Sequence, residues 1–179
     1  MLDAVIALQD VRDLSAGRWL IPILASLERR RGARFAELLA LGPSRSMLKR
    51  SLKLLIEQGL VRPNPGHGHP LRPEYLLTEE GAPLGRWSAR VTDARAQLGL
   101  AAPSLGRWAL PILFALAEGE RRFSTLEAGL VPVSPRALSL ALKQLLALGL
   151  IGRRLEDDFP PTAIYALTDR GASLAGAMR

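Results

Sequence analysis

The chain states nearly the same stretch of roughly 80–90 residues twice. Gly17-Arg18-Trp19, followed by Pro22-Ile23-Leu24, returns as Gly106-Arg107-Trp108 followed by Pro111-Ile112-Leu113. Arg34-Phe35 returns as Arg122-Phe123, and Gly59-Leu60-Val61 as Gly149-Leu150-Ile151. Tyr75, Leu77, Thr78 and Gly81 match Tyr165, Leu167, Thr168 and Gly171. The offset drifts only between 88 and 90, which confines insertions to one or two residues. Two copies are too few for a solenoid, whose repeats bury a core only against several neighbours. The repeat therefore predicts two small tandem domains, residues 1–88 and 89–179, joined through a helical segment around 83–104. Ala101-Ala102-Pro103-Ser104 marks the boundary within that segment.

Each copy is apolar enough to build its own core, since 48% of the residues are hydrophobic. Cysteine is absent, so disulfides, thiolate catalysis and zinc–cysteine sites do not arise. No apolar run approaches the ~18 residues of a membrane span, and the N-terminus lacks a signal-peptide pattern. The expectation is a cytoplasmic protein with no membrane partner. The net charge is +7, with 13 basic and 9 acidic residues in 1–89 and 11 and 8 in 90–179. Both halves are basic, and a basic folded protein has nucleic acid as its default partner. Twenty-one of the 24 cations are arginine, so a compositional bias of the genome is the plain alternative.

The repeat unit reads as an ordered set of elements. A leading helical stretch, Asp3 to Leu8 and Asp93 to Leu98, precedes each Gly-Arg-Trp. Leu20, Ile23, Leu24 and Leu27 then recur at helical spacing, with Pro22 and Pro111 confined to a first turn. Trp19 and Trp108 read as core anchors there, while Trp87 lies near the linker and reads as a contact between the domains. Phe35–Leu39 and Phe123–Glu127 give short second helices. A third helix follows an N-cap serine, Ser44 or Ser134, with Pro135 at the favoured first position. Its apolar stripe is Leu48, Leu52, Leu55 and Ile56, or Leu138, Leu142, Leu145 and Leu146. Gly59 and Gly149 stop these helices. A hairpin follows, closed by Tyr75-Leu76-Leu77 or by Ile164 to Leu167. Thr78 and Thr168 cap a last helix, with Glu79-Glu80 and Asp169 in its first turn. Helix, short helix, capped helix, hairpin and helix make a winged helix-turn-helix. The fold class is mainly α with small β-hairpins (α+β), as two tandem winged helix-turn-helix domains.

In the second copy, Arg121-Arg122-Phe123-Ser124-Thr125-Leu126, Ser134-Pro135-Arg136-Ala137-Leu138-Ser139 and Leu142-Lys143-Gln144-Leu145 follow the Gly-Arg-Trp signature. Phe159-Pro160-Pro161-Thr162-Ala163-Ile164-Tyr165-Ala166-Leu167-Thr168 completes the set. At these residues the chain resembles the HxlR-type winged helix-turn-helix transcription regulators, relatives of the MarR group. The first copy is more diverged, with Pro70-Leu71-Arg72-Pro73-Glu74-Tyr75 where that family has a paired-proline strand. The resemblance implies a DNA-binding transcriptional regulator, with repression as the family-level sign. Members of that family usually carry one winged helix and dimerise, so this chain resembles a covalently fused dimer. Many also carry a cysteine near the N-terminal helix for sensing oxidants; that mode does not carry over.

In a helix-turn-helix the capped helix enters the major groove and its N-terminal half reaches base edges. In copy one the outward residues are Ser44, Arg45, Ser46, Met47, Lys49, Arg50 and Lys53, with no acid before Glu57. Arginine grips guanine O6 and N7 in a bidentate way, and lysine and serine hold phosphates. In copy two the matching residues are Ser134, Arg136, Ala137, Ser139, Leu140, Lys143 and Gln144. Leu140 stands in the place of Arg50, which leaves a thymine-methyl contact, a protein contact and a core edge all open. Wing one offers Arg62 and Arg72 to phosphate, and His67 and His69 would add charge at low pH. An His-x-His pair without a third ligand is a poor metal site, and no metal or cofactor is expected. Wing two starts with Arg153-Arg154 but carries Glu156-Asp157-Asp158 at its turn, which would repel phosphate.

No phosphate-cradling glycine loop, nucleophile elbow or metal cluster is present, so enzyme chemistry is not expected. The partner expected is double-stranded DNA, read by two recognition helices from one chain as a monomer with pseudo-two-fold symmetry. Further dimerisation is compatible with this reading, and the sequence is silent on a small-molecule effector. The alternative is a tandem winged-helix protein-interaction module, in which the second domain docks a protein through Leu140 and its neighbours.

Overall fold

A computed structural model describes residues 5–64, 74–100, 105–156 and 161–179. Helix α1 (Leu8–Ala16) comes first. The Ala7 amide donates to the Asp10 carboxylate at 2.8 Å, which fixes the helix start at Leu8. The helix anticipated over residues 3–8 is thereby corrected: Val5 to Ala7 are not helical, and Asp3 and Ala4 lie outside the described residues.

The first unit comprises Gly17–Asp93. It contains α2 (Leu20–Arg30), β1 (Ala33–Arg34), α3 (Phe35–Leu39), α4 (Arg45–Glu57), β2 (Val61–Asn64), β3 (Glu74–Leu77) and most of α5 (Gly81–Gln97). The second unit joins Ile6–Ala16 to Ala94–Arg179. It contains α6 (Ala109–Leu116), β4 (Arg121–Arg122), α7 (Phe123–Gly129), α8 (Pro135–Ala147), β5 (Ile151–Glu156), β6 (Thr162–Leu167) and α9 (Asp169–Gly176). Helix α1 belongs to this second unit and lies against α6. That departs from a division at 88 and 89, which follows chain order. The physical reason is the face formed by Val11 and Leu14, both fully buried, which helical spacing places on one side of α1.

The local signals act as the residue types dictate. Trp19 and Trp108 are the N-cap residues of α2 and α6, and Pro22 and Pro111 fall at the third helical position. No intrahelical hydrogen bond is lost there, because the first helical amides have no intrahelical partner. Ser44 and Ser134 accept the amides of Met47 and Ala137. Gly59 and Gly149 turn the chain at φ of 72° and 65°, in the left-handed region that lacks steric cost only for glycine. Asp169 stands in the first turn of α9, whereas Glu79 and Glu80 form the turn ahead of α5.

Each unit carries a three-stranded antiparallel sheet, ordered β1-β3-β2 and β4-β6-β5. The hairpins are the anticipated ones. Strands β1 and β4 are additions: Ala33 pairs with Tyr75 and Arg34 with Glu74, as Arg121 pairs with Tyr165 and Arg122 with Ile164. The long helix α5 runs without a break through most of the expected linker; residues 101–104 lie outside the described residues.

The core of the first unit gathers Leu20, Ile23, Leu24, Leu27, Leu38, Leu48, Leu52 and Leu55, with Trp87 and Val91 from α5. Trp87 is wholly buried. The second unit repeats this with Ile112, Leu113, Leu116, Leu126, Leu138, Leu142, Leu145 and Leu174, to which α1 adds Val11 and Leu14. Burying each such leucine contributes about 1.5–3 kcal/mol relative to leaving it in water. Ile56, expected in the stripe, is exposed instead. It follows Leu55 by about 100° around the helix, past the edge of the buried face.

Candidate nucleic-acid interface

Helix α4 presents one face to the core and the rest to solvent. The Ser44 hydroxyl accepts the Met47 amide at 3.3 Å and sits 3.0 Å from the Ser46 hydroxyl. This cap makes Arg45 the first helical residue and so fixes which positions face outward. Leu48, Leu52 and Leu55 turn inward, while Ser44, Arg45, Ser46, Lys49, Arg50 and Lys53 are exposed. Among the described residues no carboxylate lies against Arg45, Lys49 or Arg50. Lys53 alone of these pairs, with Glu57 one turn on at 3.7 Å. Both ends of that pair are well exposed, so it holds Lys53 weakly. The helix N-terminus adds its own partial positive charge to this cationic face.

Arg62 is exposed on β2, opposite Leu76 of β3. Next to it, Pro63 is tolerated because β2 is the edge strand of its sheet. Arg72, His67 and His69 lie outside the described residues. Beside α4 opens a cleft of about 270 Å³ lined by Phe35, Lys49, Leu52, Lys53, Ile56, Glu57 and Tyr75. Burial pushes the Tyr75 phenol above its ordinary pKa, so it stays a neutral hydrogen-bonding group.

Helix α8 repeats the arrangement with different chemistry. Ser134 accepts the Ala137 amide at 3.2 Å. Arg136, Ser139 and Lys143 are exposed, and Ala137 is half-buried. Leu140 is 58% exposed, which removes the core-edge reading of this residue. Gln144 is occupied elsewhere: its side-chain oxygen accepts the Gly106 amide at 3.1 Å, next to the Arg107–Trp108 pair, where the guanidinium lies 5.1 Å from the ring centre.

The second hairpin differs most from expectation. Arg153 and Arg154 are neighbours on β5 and so point to opposite faces. Arg153 is exposed and pairs in register with Tyr165. Arg154 is tied down by Glu120 and by Glu156, the latter at 3.0 Å. Glu156 also accepts Arg122 at 3.0 Å, across the central strand β6. Hydrogen bonding to Arg154 is the main reason that the Glu156 carboxyl lies below its ordinary pKa, and Arg122 adds to it. The same bonds, to Glu120 first and then Glu156, raise the Arg154 pKa. This clamp was not anticipated. Its one sequence signal is the spacing of Arg154 and Glu156, which puts both on one face of a strand. Asp157 and Asp158 lie outside the described residues.

Of the fourteen candidate residues, the structure thus brings six together on α4, places Arg62 on the neighbouring hairpin, and groups four on α8. It separates Arg153 from Arg154. Among the described residues, no group of three or more potential ligands could hold a metal ion, and no helix is long and apolar enough to cross a membrane.

The HxlR-like helix-turn-helix family model matches twice, over residues 14–93 and 105–179. The HTH-type transcriptional regulator YvaP of Bacillus subtilis is 42% identical over 69 residues, which are 38% of this chain and 64% of that protein. An HTH-type transcriptional regulator of Methanothermobacter thermautotrophicus is 33% identical over 69 residues, 38% of this chain and 53% of that one. These matches span less than two thirds of each curated relative's length. Among solved structures, a transcriptional regulator of the MarR family from Enterococcus faecalis V583 is 26% identical. It covers 49% of this chain and 74% of its own, with a TM-score of 0.41.

Proposed function

Because the chain belongs to the HxlR-like helix-turn-helix family, carried twice, we propose that it is a sequence-specific, double-stranded DNA-binding transcriptional regulator. The observation that carries this reading is the solvent face of α4. A serine-capped helix offers Arg45, Lys49 and Arg50 with no carboxylate set against them among the described residues. A row of unneutralised cations at the start of a helix is the chemistry a phosphate-lined groove selects. Arg45 and Arg50 are the base-reading side chains in this proposal. Lys49, Lys53, Ser44, Ser46, Arg62 and Arg72 hold the backbone.

The two copies then act as a pseudo-dimer within one chain, each recognition helix serving one half-site. On α8, Arg136, Ser139 and Lys143, behind the Ser134 cap, make the corresponding contacts, with Arg153 from the hairpin. Arg154 contributes least, because two carboxylates already hold it. Repression by occluding the promoter is the proposed mode of action, in the cytoplasm and without an enzymatic step. Further dimerisation and an effector ligand are compatible with this function and are not required by it.

Fluorescence anisotropy tests it. The full chain is titrated into a random-sequence duplex pool and into the DNA upstream of its own gene, at two salt concentrations. With roughly 6–10 phosphate contacts, affinity should fall by about 10³–10⁵ between 50 and 200 mM salt. A clear preference for the upstream duplex is expected; equal, weak binding to both would sink the proposal.

A further inference from the structure

Resting on the regulator reading, we infer that Leu140 is a specificity-determining residue that reads thymine methyl groups, so that the two half-sites differ in base chemistry. Leu140 lies on the solvent face of α8 at the position that Arg50 holds on α4, and 58% of it is exposed. A leucine so placed leaves apolar surface in water, and a partner surface that covers it gains free energy. The question is what kind of surface.

The surrounding charge answers it. Leu140 lies one helical turn after Arg136 and one turn before Lys143, so both cations are its neighbours on the helix surface. From Pro135 to Ala147 there is no acidic residue. Both cations are exposed, and no carboxylate lies against either among the described residues. A leucine flanked by Lys143, a residue type depleted at protein interfaces, and with no acid on its helix is a poor centre for the fully buried core of a protein interface. It matches the major groove, where the apolar group is the thymine C5-methyl and phosphates flank it on both sides. Ala137, three residues before Leu140 on the same face, is small enough to let the helix approach. The neighbouring long polar side chain does not compete, since Gln144 is turned to the Gly106 amide.

The contrast with α4 sets the prediction for the site. Arg50 calls for guanine, whose O6 and N7 accept two hydrogen bonds, and Leu140 calls for thymine, which offers a methyl group. An operator for this chain therefore has one half with a required guanine and one half with a required thymine. It is not a true palindrome.

The test uses a duplex selected from a random-sequence pool by the full-length chain. Each thymine is replaced in turn by deoxyuridine, which lacks only the methyl group. Loss of one buried methyl is expected to weaken binding about fourfold. That loss should appear at one or two thymines, all in the same half-site. The Leu140→Ala chain should bind the thymine and deoxyuridine duplexes equally, within twofold. Its fold should survive, since the side chain is largely exposed, and circular dichroism with thermal unfolding checks this. Two results overturn the inference while leaving the regulator intact: a selected duplex insensitive to deoxyuridine everywhere, or a deoxyuridine penalty that persists in Leu140→Ala. The first would reassign the α8 face to a protein partner. A pool from which nothing is enriched would overturn the regulator reading itself.

Discussion

Gly81 lies so close to the Leu60 carbonyl oxygen that a β-carbon at this position would overlap it. Gly171 stands in the same relation to Leu150 in the second unit. Both carbonyls accept the amide of the threonine that caps the following helix, Thr78 or Thr168, each at 3.1 Å. The last helix of each unit therefore starts against the third residue after α4 or α8. Alanine at either glycine must push this junction apart. Gly81→Ala and Gly171→Ala should each cost about 1–3 kcal/mol, as overpacking of a rigid site does. Gly129→Ala, where a β-carbon would meet nothing within 4 Å, should be close to neutral. Urea unfolding of the three variants distinguishes these cases, and a neutral Gly81→Ala would refute the close approach.

The same junction is closed by a hydroxyl. Thr78 donates to the Gly59 carbonyl at 2.6 Å and accepts the Gly81 amide at 2.9 Å. Thr168 does the same with Gly149 and Gly171, at 2.7 and 3.1 Å. One side chain thus satisfies the end of one helix and the start of the next. Thr168→Val keeps the shape and removes both bonds. It should cost about 1–2 kcal/mol, more than Ser134→Ala, which removes one cap bond worth about 1 kcal/mol. Thermal unfolding of both variants gives the order.

Helix α1 belongs to the second unit, with Val11 and Leu14 buried. Leu14→Ala should destabilise by about 2–4 kcal/mol through loss of the buried group and the cavity left behind. Hydrogen exchange locates the effect: amides of α6 should lose protection, while those of α4 in the first unit keep theirs. Equal loss in both helices would contradict this assignment.

Most of these elements are legible in the sequence because their causes are local. Ser44, Ser134, Pro22, Pro111, Gly59 and Gly149 each act through backbone geometry within a few residues, and the repeat supplies an independent check. What was not legible depends on distance along the chain. Strands β1 and β4 are two residues long, too short for any alternation to show. They exist because Tyr75 and Tyr165 bring partners from far away. The periodicity of α1 marks its apolar face but not what that face meets. On the candidate interface, the exposed cations of α4 follow from helical spacing alone. The capture of Arg154 does not, because Glu120 precedes it by 34 residues.

That capture separates two arginines that look equivalent in sequence. Arg50 has no carboxylate against it among the described residues, and Arg154 has two. Arg50→Ala should weaken binding to a selected duplex by about 1–3 kcal/mol, the range for a base-reading arginine. Arg154→Ala should change affinity less, since its charge is already balanced. Glu156 is the lever on the second site. Its carboxyl is held below its ordinary pKa by Arg154 first and Arg122 second. A depressed folded pKa means that the stability from this clamp is present above the carboxyl's ordinary pKa. It is lost as pH falls through the lowered value. At neutral pH the clamp is therefore intact, and Glu156→Gln mimics its acid form. That variant should bind random-sequence DNA more tightly than the wild type. Its salt dependence should steepen by no more than about one unit of log–log slope, because Glu120 still holds Arg154 in that variant. An unchanged slope, measured by anisotropy from 50 to 200 mM salt, would place this hairpin away from the DNA.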